Sequence, residues 1–311
     1  MEHSKGPVYL FLAFTLAGTS VVAARFVSGR LGIFTITAVS LAFALLYLVP
    51  SYLKKIIRAI TGLPIKGYLF LAVQALCGIF LFRMFLLSGL TITTSGEAGI
   101  LTSVTPAITA VLAMVFLRER AGWLRLAGIT MTMAGVALIQ GLLAPESGFS
   151  ANHFWGNMLV ICAASCEALF NIFSRAFVLK GESGSHTAMD PPVQTAIVSF
   201  MALLFCLIPA MLEDPVRRLS AIGLTGWLAL LWYGLFVTAL AFICWYEGIR
   251  RCGALTAAAF SGMMPFTSAL LSVVILGEQL GFRQITGGLF IAGGMMVLGG
   301  SAARGKVNQA A

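Results

Sequence analysis

The chain has 311 residues, of which 59% are hydrophobic and 10% charged, with a formal net charge of +9. An average soluble protein carries roughly 25% charged residues, so this chain lacks the polar skin that a water-soluble fold of its length needs. The basic excess sits in short gaps between apolar runs, which argues against a nucleic-acid partner and matches loops beside membrane spans.

A lipid-spanning helix needs about 20 apolar residues. Ten runs meet this approximately, at 8–24, 33–53, 68–90, 96–117, 124–143, 154–178, 193–212, 224–249, 255–276 and 285–301. They are long and mostly unbroken, whereas a membrane barrel alternates polar and apolar in segments of about ten residues. The expected fold class is therefore an all-α membrane protein with ten transmembrane helices. The first run follows Lys5 and ends at Val22-Ala23-Ala24, which resembles a leader cleavage site. Removing it would leave nine spans and spoil the duplication described below, so it is read as a span.

The breaks carry loop chemistry. Residues 51–67 hold Lys54, Lys55, Arg58, Pro64 and Lys66, and 144–153 are short and polar. Residues 180–192 hold Gly181, Gly184, Asp190 and two prolines, and 213–220 hold Asp214, Pro215, Arg217 and Arg218. With a cytoplasmic N-terminus, 14 Lys and Arg fall inside, 5 outside, and Arg83 lies within a span. That bias predicts an inner (cell) membrane protein with both termini in the cytoplasm.

Sliding the chain on itself by 159 residues lays Gly89 on Gly248, Pro106 on Pro265, Glu119 on Glu278, Gly122 on Gly281, Gly128 on Gly287 and Gly135 on Gly294. From 89 to 135 there are 11 identities in 47 positions without a gap. Pro, Glu and Gly hold fixed structural jobs, so these matches outweigh apolar ones. The implied halves are 1–145 and 146–311, each with five spans. An odd number of spans forces the second half to insert upside down. Two inverted five-helix repeats are a recurring plan of secondary transporters, with the substrate near the midplane.

The strings GEAGILTSVTPAITAVLAMVFLRER and ALTAAAFSGMMPFTSALLSVVILGEQ resemble the paired signature of EamA-type proteins in the drug/metabolite transporter superfamily, as does AASCEALFNIFSRAF. The Pro-to-Glu spacing of 13 occurs twice. The resemblance implies ten helices, a central cavity, and export or exchange of small metabolites, without fixing the substrate. Glu167 departs from it, because the family more often has an aromatic or small residue there.

Candidate residues follow from cost. Arg83 lies inside the third span, where an ionisable group faces a cavity or snorkels to the interface. It is read as an anion-binding group. Glu167 lies near the middle of the sixth span with Asn171 one turn on. It is read as a cation-binding or proton-coupling carboxylate, the alternative being a structural partner to Arg83 or to a backbone donor. Gln74 and Tyr246 are weaker substrate-binding candidates. Trp232, Tyr233, Trp245 and Tyr246 are expected to anchor the eighth span at the interface.

Pro106 and Pro265 are expected to kink the fourth and ninth spans, as gates or as static bends. Glu119 and Glu278 are read as caps of the fifth and tenth spans, and Glu97 as a helix-start acid. Glu247 is expected to form a solvated ion pair beside Arg250 and Arg251. The glycine pairs at 287–288, 293–294 and 299–300 suit close helix packing within the chain, a second copy being the alternative. The quaternary state is left as a monomer or a homodimer.

The six cysteines, Cys77, Cys162, Cys166, Cys206, Cys244 and Cys252, form no CxxC pair and read as small buried hydrophobes, without a metal site. There is no GxxxxGK[ST], so ATP is not the evident drive, and no cofactor is implied. His3, His153 and His186 fall in tails or loops, and neither HExxH nor GxSxG occurs, so no catalytic residues are assigned. A secondary transporter of a small metabolite, exporting an amino acid or related zwitterion, is the favoured function. A membrane-embedded enzyme and a channel-like subunit are the alternatives.

Overall fold

The computed structural model describes residues 6–116, 122–139, 151–181, 189–260 and 263–310. Its regular elements are helices, with one isolated bridge from Ser28 to Leu31 between the first two. In chain order these are α1 (Gly6–Arg25), α2 (Ile33–Gly62), α3 (Ile65–Leu90), α4 (Ser95–Thr102), α5 (Thr105–Phe116), α6 (Trp123–Ile139), α7 (Ala151–Gly181), α8 (Pro191–Met211) and α9 (Pro215–Ala221). Then α10 runs through Leu224–Trp232, Tyr233–Leu240 and Ala241–Phe260, followed by α11 (Met263–Leu276) and α12 (Phe282–Ala310).

Six helices among the described residues are long and apolar enough to cross a membrane: α1, α2, α3, the Ala151–Phe173 part of α7, α8 and the Leu224–Ile249 part of α10. Leu126–Ile139 and Met263–Leu276 are shorter apolar helices. Large apolar side chains such as Leu46, Ile208, Val274 and Met296 point outward. Together with the apolar helices, this lipid-compatible surface is that of a multi-pass membrane protein.

Three local features depart from the sequence expectation. First, α2 continues through Lys54, Lys55 and Arg58 to Gly62. Lys and Arg are good helix formers, so the charge marks the edge of the apolar stretch rather than the end of the helix. Second, the fourth run is two helices. Ser103 and Val104 turn between α4 and α5, with N–H groups bonded three residues back to Ile100 and Leu101. Pro106 falls in the first turn of α5, where its missing N–H costs little. The hydroxyls of Thr102 and Ser103 donate to the Gly99 and Ile100 carbonyls just before the turn. Pro265 likewise occupies the first turn of α11, so both prolines start helices. Third, α3 and α10 each widen into a π-helical stretch, at Leu76–Leu81 and Tyr233–Leu240.

Several features recur at the 159-residue spacing. Ile65 and Leu224 start helices, as do Trp123 and Phe282. The π stretch of α3 falls within that of α10, and Pro50 and Pro209 lie inside α2 and α8. Packing follows the same exchange. α1 lies on α10 and α11, while α7 lies on α3 and α5; α2 packs on α8 and α6 on α12. The α6–α12 crossing is close because it is built of glycine. A Cβ on Gly135 would sit 2.5 Å from the Gly287 carbonyl oxygen, and one on Gly294 would sit 2.7 Å from that of Gly128. The glycine face of α12 thus meets a helix of the same chain.

Candidate functional site

Arg83 lies two residues beyond the π stretch of α3 and is 4% exposed. Its guanidinium donates to Ser40 Oγ on α2 (2.8 Å) and to Thr238 Oγ1 on α10, and stands 4.4 Å over the Tyr233 ring centre. Both hydroxyls are oriented to accept. Ser40 Oγ donates to the Thr37 carbonyl (2.9 Å), and Thr238 Oγ1 donates to the Tyr233 carbonyl (2.8 Å) five residues back, across the widened turn. Gly234 lets α2 and α10 approach this closely, since a Cβ there would lie 2.3 Å from the Ser40 carbonyl oxygen. Among the described residues no carboxylate pairs with Arg83. Hydroxyls and a ring face satisfy its geometry but leave its charge uncompensated, in a place where an unpaired ion is costly.

Glu167 stands at the break between α4 and α5. Its Oε2 accepts from Thr105 Oγ1 at 2.9 Å, and Thr105, the residue before Pro106, also reaches the Thr102 carbonyl (2.8 Å). No ion pair joins Glu167 to Arg83 among the described residues; its contact there is a hydroxyl at a helix break. Asn171 is one turn further along α7 and partly buried. Gln74, 1% exposed, accepts from Gln194 Nε2 at 3.1 Å and ties α3 to α8. Tyr246 packs edge-on to Trp245 (4.9 Å), which meets Phe170 of α7 at 5.7 Å, and the Tyr246 hydroxyl is buried with no hydrogen-bond partner among the described residues. The structure therefore brings Glu167 to Thr105 and Arg83 to Ser40, Thr238 and Tyr233, as two separate polar centres.

The chain matches the model of the EamA-like transporter family twice, over residues 4–141 and 154–300. It belongs to that family. A Bacillus subtilis (strain 168) protein named uncharacterized transporter YetK is 32% identical over 290 residues, covering 93% of this chain and 85% of its own. The aromatic amino acid exporter YddG of Ancylobacter novellus is 26% identical over 231 residues, 74% of each chain. A crystal structure at 22% identity aligns with a TM-score of 0.61, covering 97% of this chain and 98% of the other, and supports the fold. The chain is accordingly a membrane transporter of the drug/metabolite type, which implies a small-molecule substrate and a bilayer.

Other residues of this transporter sit where sequence reasoning did not put them. Glu97 is 2% exposed and is the hub of a polar cluster rather than a plain helix-start acid. Gln284 Nε2 of α12 donates to its Oε1 (2.6 Å). Its Oε2 receives Thr93 Oγ1 (3.1 Å) and Asn157 Nδ2 (3.3 Å), and meets the His153 imidazole. His153 belongs to the first turn of α7, not to a loop. Glu278 caps a helix, but α4 and not its own: its carboxylate receives Ser95 N–H (3.0 Å) and Gly96 N–H (2.8 Å). Glu119 lies outside the described residues. Glu213 does the same for α2, receiving Phe34 N–H (3.2 Å) and Thr35 N–H (2.8 Å) from a turn in which Asp214 takes φ 53°. Tyr233, expected at the interface, is buried under Arg83, while Trp232 donates to Thr19 Oγ1 at 2.9 Å. Glu247 pairs with Arg251 at 2.5 Å, both largely buried, rather than in solvent.

Proposed function

We propose that this protein is a secondary-active exporter of a small carboxylate-bearing metabolite, of the amino-acid type, working by alternating access. The observation that carries the substrate class is Arg83: a buried guanidinium held by two hydroxyls and a ring, with donors aligned and its charge unmatched. A substrate carboxylate would supply the missing charge in the bidentate geometry that guanidinium favours. The relatives' names, an aromatic amino acid exporter among them, support the same class. Asn171, Gln74 and Tyr246 are further substrate contacts in this reading, and Glu167 is the proton-coupling group.

The reading takes the ten runs as two inverted five-helix halves, 1–145 and 146–311, the fourth run comprising α4 and α5. What supports it is the shared 159-residue spacing of helix starts, π stretches and prolines, the paired exchange of packing partners, and the double family match. The Lys and Arg bias supports an inner-membrane location with both termini cytoplasmic. In that orientation the α1–α2, α3–α4 and α11–α12 connections face outward. Pro106 and Pro265, in the first turns of α5 and α11, are the proposed hinges.

Flux tests it. Purified protein in lipid vesicles preloaded with unlabelled phenylalanine should exchange it for external labelled phenylalanine in a saturable manner. Counterflow that does not saturate, or that survives with Arg83→Gln at unchanged KM, would contradict the assignment.

A further inference from the structure

The turn between α1 and α2 carries a second basic centre, and we propose that it binds the phosphate of an anionic phospholipid headgroup. After Arg25 ends α1, the Arg30 and Leu31 N–H groups bond back to the Val27 carbonyl, and Gly29 takes φ 79°. A positive φ is open to glycine without steric cost, and here it reverses the chain between Arg25 and Arg30. Both arginines therefore line one cavity of about 550 Å³, with Ser28 beside them, Thr91 from the turn after α3 and Thr225 from the first turn of α10.

The lining of this cavity contains no carboxylate among the described residues. Arg25 donates to the Leu90 carbonyl, which orients the guanidinium without neutralising it. Arg30 is exposed, and its side chain makes no hydrogen bond or ion pair among the described residues. α9 adds Arg217 and Arg218, both exposed and likewise without an acidic partner among the described residues. α9 lies against the same turn, because Leu219 and Ile222 share an apolar cluster with Val27 and Leu31. Glu213, beside α9, is taken up by the Phe34 and Thr35 N–H groups, and Asp214 is the acid next to it. The corner is left with a positive excess.

Guanidinium forks match the oxygens of a phosphate. What selects a lipid over a soluble phosphate is the apolar surface at the same level. Phe26 lines the cavity and is exposed, and Leu212, Val216 and Leu224 are exposed around α9. α1 ends and α2 begins at this turn, and both are apolar enough to cross a membrane. Guanidinium beside exposed apolar side chains at the mouth of two such helices is the composition of a bilayer boundary, where acyl chains end and phosphates begin. A soluble anion would engage the arginines and leave Phe26 and Val216 in water, whereas a phospholipid covers both. The site involves neither Arg83 nor Glu167 and stands apart from the transport reading.

Native mass spectrometry of the purified protein, titrated with phosphatidylglycerol or with phosphatidylcholine, counts the bound lipids, and a thermal melt in each lipid reports folding. The first phosphatidylglycerol should bind about tenfold more tightly than phosphatidylcholine, and the difference should shrink as salt is raised. Arg30→Gln alters an exposed side chain, so its melt in phosphatidylcholine should match wild type, while its affinity for the first phosphatidylglycerol should fall about tenfold. Arg30→Lys should lose less, because it keeps the charge. Lys54→Gln with Arg58→Gln, exposed residues at the far end of α2, should leave the preference unchanged. Equal binding of the two lipids, or a preference that survives Arg25→Gln with Arg30→Gln, overturns the site. So does a preference lost in the Lys54 and Arg58 pair and kept in Arg30→Gln, which would move the lipid to the opposite end. Inorganic phosphate that, at matched ionic strength, raises the melting temperature as much as phosphatidylglycerol does would assign the cavity to a soluble anion instead.

Discussion

Replacing Arg83 by Gln separates a binding role from a structural one. Without substrate, Arg83 makes two hydrogen bonds from a charged donor and one ring contact. Hydrogen bonds of that kind are each worth about 1.5–3 kcal/mol. Against them stands the desolvation of an ion without a counter-charge, several kcal/mol by rough reckoning. Gln fills part of the same volume and donates to either Ser40 or Thr238, so the two effects largely offset. We expect the melting temperature to move by no more than about 3 °C. With a carboxylate substrate the balance changes, because the guanidinium becomes half of a desolvated ion pair. Truncating one partner of such a pair costs about 2–5 kcal/mol, and about 1.4 kcal/mol is a factor of ten, so the half-saturation constant for phenylalanine should rise roughly 30- to 3,000-fold. Arg83→Lys should fall between, since an ammonium keeps the charge and loses the fork. Counterflow kinetics and a thermal melt of each variant give both numbers. A half-saturation constant within about twofold of wild type, with a melting point lowered by several degrees, would mean that Arg83 is a structural tie between α2, α3 and α10.

Glu167→Gln should abolish uptake driven by a pH gradient while leaving counterflow in place, and full pH-driven transport in that variant would remove Glu167 from the coupling step. Glu278→Ala should leave the Ser95 and Gly96 N–H groups unmet and lower stability by about 1–2 kcal/mol, read as a lower melting temperature. Glu213→Ala should do the same at α2, and the double variant should be additive, because the two caps share no partner. Gly135→Leu puts a side chain where a Cβ alone would approach the Gly287 carbonyl oxygen to 2.5 Å. It should destabilise the α6–α12 crossing by about 2–4 kcal/mol, visible as poor folded yield in a size-exclusion profile. Gly122→Leu, with nothing within 4 Å of a Cβ, is the matched control.

Apolar runs were legible because lipid demands length, and six of them emerge among the described residues as helices long and apolar enough to cross a membrane. Local chemistry alone misreads three kinds of residue. Lys54 and Arg58 looked like loop because polarity and helicity were taken together, yet a helix that leaves the bilayer remains a helix. Pro106 announced a disturbance, but its place in the first turn of α5 depends on where Ser103 and Val104 turn. Glu278 was recognisable as a cap, while the helix it caps begins at Ser95, far back in the chain; no local rule names that partner. Glu97 and His153 are 56 residues apart, and each has an ordinary reading by itself. That Glu97 meets both His153 and Gln284 is a tertiary fact.

At the 159-residue spacing the chain has kept residues that shape helices and diverged around Arg83. Pro50 and Pro209, Pro106 and Pro265, Gly128 and Gly287, and Gly135 and Gly294 are identical at the shared spacing. Ser40 and Ser199 also correspond, yet Ser40 Oγ accepts from Arg83 while Ser199 Oγ is buried with no partner among the described residues. The position equivalent to Arg83 is Phe242, that of Thr238 is Ile79, and that of Tyr233 is Gln74. Two charged centres related by the duplication would place like charges in one low-dielectric interior and repel. Under the proposed alternating-access function, one such centre, set in a scaffold whose halves exchange shapes, would meet a single anionic group from either side of the membrane. In that proposal the duplication would account for the movement, and the loss of symmetry at positions 74, 79 and 242 would confine binding to the Arg83 side.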